Sequence, residues 1–168
     1  MTRSVALLRG INVGKSARVG MADLRAVFEG LGLTEVRTYL QSGNVVFSGP
    51  TTAAELEKAI AEAFPVSPRV LVFTAAQVKA IAAEYPLRAI ATNPSRAFVV
   101  FMETVPASID LDIDLGDERL VLGTHAIHQW IPEGAMDTRV PASFTKSLGL
   151  ITVRNLRTVD TLVEWLDA

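Results

Sequence analysis

The chain is expected to fold as an α+β protein of two packed subdomains, each ordered β-α-β-β-α-β, the second less regular and ending in a C-terminal helix. Three observations lead there. Short apolar runs bounded by glycine, proline or asparagine alternate with segments of helical period. The second half loosely repeats the element order of the first without repeating its sequence. With 49% apolar residues in 168, a real core can fill without disulfides or a cofactor.

Val5 to Arg9 is apolar at consecutive positions, which suits a central strand covered on both faces. Met21, Leu24, Phe28 and Leu31 then fall at helical spacing, and Gly30 and Gly32 stop the helix. Arg37 to Gln41 and Asn44 to Ser48 are β-rich runs joined through Ser42 and Gly43, a hairpin signature. Thr52 to Glu55 has capping-box spacing ahead of the stripe Leu56, Ile60 and Phe64, which Pro65 closes. Arg69 to Thr74 supplies a fourth strand and completes the split βαβ, or ferredoxin-like, plan.

A helix over Ala75 to Glu84 leads to a loop from Pro86 to Arg96, which divides the chain into subdomains 1–85 and 86–168. Beyond it come a strand at Ala97 to Met102, a short helix starting over Pro106 to Ile109, and a hairpin of Leu120 to Leu122 with Ala126 to Ile131, turned at Gly123-Thr124. A helix near Pro141 to Leu148, an extended piece at Leu150 to Val153 and a helix over Thr158 to Leu166 follow.

Composition narrows the function classes. Cysteine is absent, which excludes disulfides, thiolate metal sites and a thiol nucleophile and fits a reducing compartment. Val5 to Leu8 is too short for a signal peptide and Ala97 to Met102 too short for a membrane span, so a soluble cytoplasmic chain is expected. Net charge is −2, yet residues 1–50 carry six basic side chains (Arg3, Arg9, Lys15, Arg18, Arg25, Arg37) against three acids, whereas 103–118 carries six acids and no base. The first half suits an anion.

Several motifs fall short of a chemistry. Gly10 to Ser16 has three residues between its glycines where a P-loop needs four, and its helix should begin at Lys15-Ser16 rather than at Met21. Its glycines, with Arg9, Lys15, Ser16 and Arg18, still suit an anion nest. Ser42, Gly43 and Asn44 read first as a turn. Asp110, Asp112 and Asp114 imitate a calcium loop, but Gly116 comes one residue late and Val121 stands where glutamate is needed. The alternation of Ile109, Leu111, Ile113 and Leu115 instead gives an extended segment with an acidic face. His125 and His128, three apart on a hairpin, point to opposite faces and do not share a metal. No metal and no cofactor are expected, and no residue can be assigned a catalytic role.

The run Leu7-Leu8-Arg9-Gly10-Ile11-Asn12-Val13-Gly14, then Val19, Met21-Ala22, Leu24-Arg25 and Thr38 to Phe47, closely resembles the bacterial domain-of-unknown-function 1697 family. The likeness extends over essentially the whole chain, returning at Arg154-Asn155 with Thr158-Val159 and faintly at Gly134 to Arg139. It implies paired ferredoxin-like subdomains and no particular reaction. It marks Arg9, Asn12, Gly14, Ser42, Gly43, Asn44, Arg154, Asn155 and Thr158 as motif positions. Lys15, Ala17, Leu156 and Met136-Asp137 depart from the family pattern. The loss of an arginine from the last pair weakens an anion site there.

Together these readings favour binding of a phosphate-bearing ligand, a nucleotide or nucleic-acid end, at the loop after the first strand. Arg9, Asn12, Gly14, Lys15, Arg18, Ser42 and Asn44 are its candidates, with Arg154, Asn155 and Thr158 from the second half. The alternative is a noncatalytic interaction or structural module, as a monomer or a homodimer. A hydrolase would have to draw its base from Asp23 or Glu35, the nearest acids beyond the loop.

Overall fold

The computed structural model describes residues 2–14 and 17–167. The chain forms two compact units, Met1–Val78 with Glu164–Ala168, and Lys79–Val163. The change of unit falls inside a helix rather than in a linker.

The first unit contains β1 (Arg3–Arg9), α1 (Met21–Gly30), β2 (Thr34–Tyr39), β3 (Asn44–Ser48), α2 (Ala53–Ala63) and β4 (Arg69–Thr74). Its four strands form an antiparallel sheet in the order β2-β3-β1-β4, the ferredoxin-like arrangement. The central β1 keeps Val5 to Leu8 at 1% exposure or less, which is why that run is apolar at every position. Ala6, Leu8, Val45, Phe47 and Val70 face Leu24 and Phe28 of α1 and Leu56 and Ile60 of α2 in one core, where Phe28 meets Phe47 edge to face at 5.6 Å. Thr52 caps α2 by accepting from the Glu55 N–H at 3.2 Å, as its spacing requires.

Two local expectations change. Leu31 is exposed, because α1 ends at Gly30 before a further inward turn forms. Strand β2 begins at Thr34 and ends at Tyr39: a bulge between Thr34 and Arg37 puts Glu35 at φ 52°, and Leu40 at φ 59° already belongs to the turn.

The second sheet is built from β5 (Ala97–Phe101), β6 (Arg119–Leu122), β7 (Ile127–Trp130) and β8 (Thr152–Asn155), with α3 (Ala75–Glu84) before it, α4 (Ala142–Ser147) ahead of β8 and α5 (Leu156–Asp167) after it. Its order, β6-β7-β5-β8, repeats the permutation of the first sheet. The expected helix at Pro106 to Ile109 does not form. Residues 102–118 are irregular and pack Val105 and Ile109 against Val100, Met102 and Ile127, where the first unit has α1. Their two-residue apolar period cannot make a helical stripe. Asp110, Asp112 and Asp114 are exposed as expected, and Ile113 is exposed with them. Helix α5 begins at Leu156, two residues ahead of the expected start, because the Asn155 side chain accepts the Thr158 N–H at 2.9 Å and caps it.

A carboxylate fastens the β6–β7 hairpin. Glu84 accepts the N–H groups of Thr124 and His125 at 3.1 Å and pairs with Nε2 of the fully buried His128 at 2.5 Å. A side chain on Gly123 would overlap Glu84 Oε2, so only glycine lets the pair close. Tyr85 stacks edge to face on His128 at 5.0 Å and donates its hydroxyl to the Gln129 carbonyl at 2.7 Å; burial pushes that phenol up to about 12. Burial also lowers the His128 pKa, outweighing the Glu84 carboxylate, and Nδ1 has no partner. Above pH about 6.5 both folded and unfolded states hold this imidazole neutral. Below it the unfolded chain takes up a proton that the folded one resists, so stability falls with pH. The melting temperature should therefore drop between about pH 6.5 and 5, above the carboxylate range, and His128→Gln should flatten that drop. An unchanged slope in the variant would assign the acid sensitivity elsewhere.

Candidate functional site

The site is built by strand direction. β1 is antiparallel to both neighbours, so its last residue meets the start of β3 on one side and of β4 on the other. Leu7 lies opposite Asn44, and Arg9 opposite Arg69. The loop leaving β1 and the β2–β3 turn thus share one end of the sheet, with the Leu8 N–H donating to the Gly43 carbonyl at 2.9 Å.

Two residues hold the loops together. Asn12 sits at φ 54° and donates from Nδ2 to the Val19 carbonyl at 3.0 Å and to the Gln41 carbonyl at 2.9 Å, while its Oδ1 accepts the Val19 N–H at 2.7 Å. Both amide donors and one acceptor are thereby used inside the protein. Gly43, at φ 91°, is the second: a Cβ there would stand 2.7 Å from Leu8 Cβ, so the turn approaches β1 only without one. The fully buried Asn44 donates to the Tyr39 carbonyl at 2.8 Å and to Ser42 Oγ at 3.1 Å, and the Ser42 side of the turn is exposed.

Among the candidates, Asn12 and Asn44 therefore serve as framework. Arg9, Gly14 and Arg18 are exposed on the same loop or its strand, and Arg18 donates to the Asn12 carbonyl at 3.3 Å. Lys15, with Ser16, lies outside the described residues. From Gly10 to Gly14 the backbone alternates in hand, with φ of +90°, +54° and +53° at Gly10, Asn12 and Gly14 and negative φ at Ile11 and Val13. Arg69, absent from the sequence candidates, joins them by register, its Nε held by Glu57 at 3.0 Å. The antiparallel pairing of β1 with β4 was the signal that could have found it.

Arg154, Asn155 and Thr158 belong to the second unit. Arg154, opposite Val99 on β8, is half-buried, and desolvation brings its guanidinium down to about 10 while it donates to the Val153 carbonyl at 3.0 Å. Asn155 caps α5 and Thr158 is buried. The Thr138-Arg139 segment serves a buried carboxylate: Glu118 accepts Thr138 Oγ1 at 2.6 Å, the Arg139 N–H at 2.7 Å and Gln129 Nε2 at 2.7 Å. These bonds wall one side of a cavity of about 210 Å³ that Asp117, Glu133 and Asp137 also line. Among the described residues no cluster of histidine and carboxylate side chains is arranged to hold a metal ion. Among the described residues no helix is long and apolar enough to cross a membrane. Glu35 is a poor base, since hydrogen bonds from Arg3 and Ser48 hold its carboxyl below the usual range.

Fold and site together define an α+β protein with two ferredoxin-like units and a clamped polar loop at one end of the first sheet. The chain belongs to the DUF1697 family, described as protein of unknown function, whose model matches residues 1–122. It is also similar to a solved structure, that of a conserved bacterial protein from Streptococcus pneumoniae, with 27% identity, 98% of each chain covered and a TM-score of 0.68. No curated protein matches the chain.

The clamp makes a prediction. Asn12→Gly keeps the left-handed backbone and removes three hydrogen bonds, for an expected loss of about 2 kcal/mol, or roughly 4–8 °C in melting temperature. Gly43→Ala should cost at least as much, from its φ and its overlap with Leu8. A shift under about 1 °C in either variant would mean that the loops hold together without these contacts.

Proposed function

We propose that the loop after β1 binds a phosphate-bearing ligand, a nucleotide or the end of a nucleic acid, with Arg9, Arg18 and Arg69 as its cationic groups and Gly14 in the backbone cradle. The observation that carries this reading is the alternating backbone hand from Gly10 to Gly14, beside Arg9 and ahead of Arg18. Peptides of alternating hand turn successive N–H groups toward one side and form a concavity suited to an anion. Guanidinium groups add paired donors that match phosphate oxygens. Asn12 and Gly43 contribute by fixing the loop before a ligand arrives, which lowers the ordering cost of binding.

A thermal-shift panel of pyrophosphate, mononucleotides, polyphosphate and short oligonucleotides tests the reading. At least one should raise the melting temperature by a few degrees, since ligand at about 100 times its Kd adds roughly 2.7 kcal/mol. Arg9→Ala should weaken that ligand about ten-fold, and raising the salt should weaken it further. No stabilisation by any member, with Arg9→Ala indistinguishable from the parent, rejects the proposal.

Exposed apolar side chains on the same two loops favour a second reading. Val13 is 59% and Leu40 54% exposed, which suits a noncatalytic module that pairs with a second copy. Sizing chromatography at micromolar concentration separates the two, because a monomer removes the homodimer.

A further inference from the structure

The side of the first sheet away from α1 and α2 carries more than Arg9 and Arg69. Residues opposite one another across antiparallel strands share a face, so the pairs Arg9 with Arg69, Leu7 with Asn44, Asn44 with Tyr39 and Val46 with Arg37 put Arg37 and Tyr39 on the same side. Arg37 is exposed and lies 3.6 Å over the ring centre of Trp165, in the end of α5 that belongs to the first unit. Tyr39 meets Trp165 edge to face at 5.5 Å. Arg3 donates to the Trp165 carbonyl at 3.0 Å and fixes the helix end from below. The result is a guanidinium plane supported on one side by an indole and exposed on the other.

From this we infer that the phosphate site continues along the β2–β3 turn to a base-stacking platform at Arg37, and that the ligand is a single-stranded oligonucleotide. The inference rests on the anion-binding reading of the loop. Strand spacing and residue rise put the Arg37 backbone about 16 Å from that of Arg9 in the plane of the sheet. That is farther than one sugar carries a base from its own phosphate, so a mononucleotide does not span it. The way between the two ends runs over Leu40, Gln41 and Ser42, all exposed and none acidic. Of the acids near this edge, Glu57 is paired with Arg69 and Glu35 with Arg3, while Arg9, Arg18 and Arg37 are exposed. Planar arginine stacks bases of any sequence, so binding is insensitive to sequence.

Affinities of the full chain for oligothymidylate of about eight nucleotides, its duplex and polyphosphate of equal charge, at one salt concentration, test this. The single strand should bind at least ten-fold more tightly than polyphosphate or duplex and should change tryptophan emission, whereas polyphosphate should not. Arg37→Lys keeps the charge and loses the plane: it should cost the single strand about ten-fold and leave polyphosphate unchanged. Arg9→Ala should weaken both. Equal affinity for single strand and polyphosphate, with constant emission and a silent Arg37→Lys, overturns the platform and leaves the anion site standing. Tighter binding of the duplex overturns the single-strand assignment, and binding of none sinks both readings. The emission of the parent chain decides the matter should Arg37→Lys fail to fold.

Discussion

The antiparallel pairing of β1 with both neighbours is the constraint on which the first unit depends. It makes Val5 to Leu8 the buried centre of the sheet and dictates the unbroken apolar run. It also decides which loops meet. Because β1 ends where β3 and β4 begin, the loop after it lies against the β2–β3 turn, and Arg9 against Arg69. Sequence separation is irrelevant to this meeting; strand polarity is what counts.

Much of this was legible in the residues. The periodicity of Leu24 with Phe28 and of Leu56 with Ile60 gives the two helices, the Thr52 cap appears as spaced, and β3, β4 and α3 span the expected residues. The second unit was harder to read, for a physical reason. Its first connection is an irregular strap rather than a helix, and α4 has only six residues, so little period exists to detect. The likeness of the two sheets lies in strand order, which hydrogen bonding fixes and side-chain pattern records only weakly.

The candidate site was legible in part. Glycine and asparagine crowding after β1 marks the loop that Asn12 and Gly43 clamp, but residue type could not separate framework from exposed loop. Asn12 and Asn44 are polar loop residues by sequence; only their geometry shows amide donors consumed by Val19, Gln41, Tyr39 and Ser42. Glu84 and Glu118 were invisible for the opposite reason. A glutamate that gathers hairpin amides or a buried glutamine looks like any surface acid until the fold closes around it.

The irregularity at Thr34 to Arg37 falls on an edge strand. β2 borders its sheet, and a regular border would offer unpaired peptide groups to any passing strand. The left-handed residue Glu35, tied to Arg3 and Ser48, breaks the ladder and sets a charged kink near its start. Straightening that kink would turn the margin into an unbroken row of peptide groups, the kind of edge that pairs with a neighbouring strand.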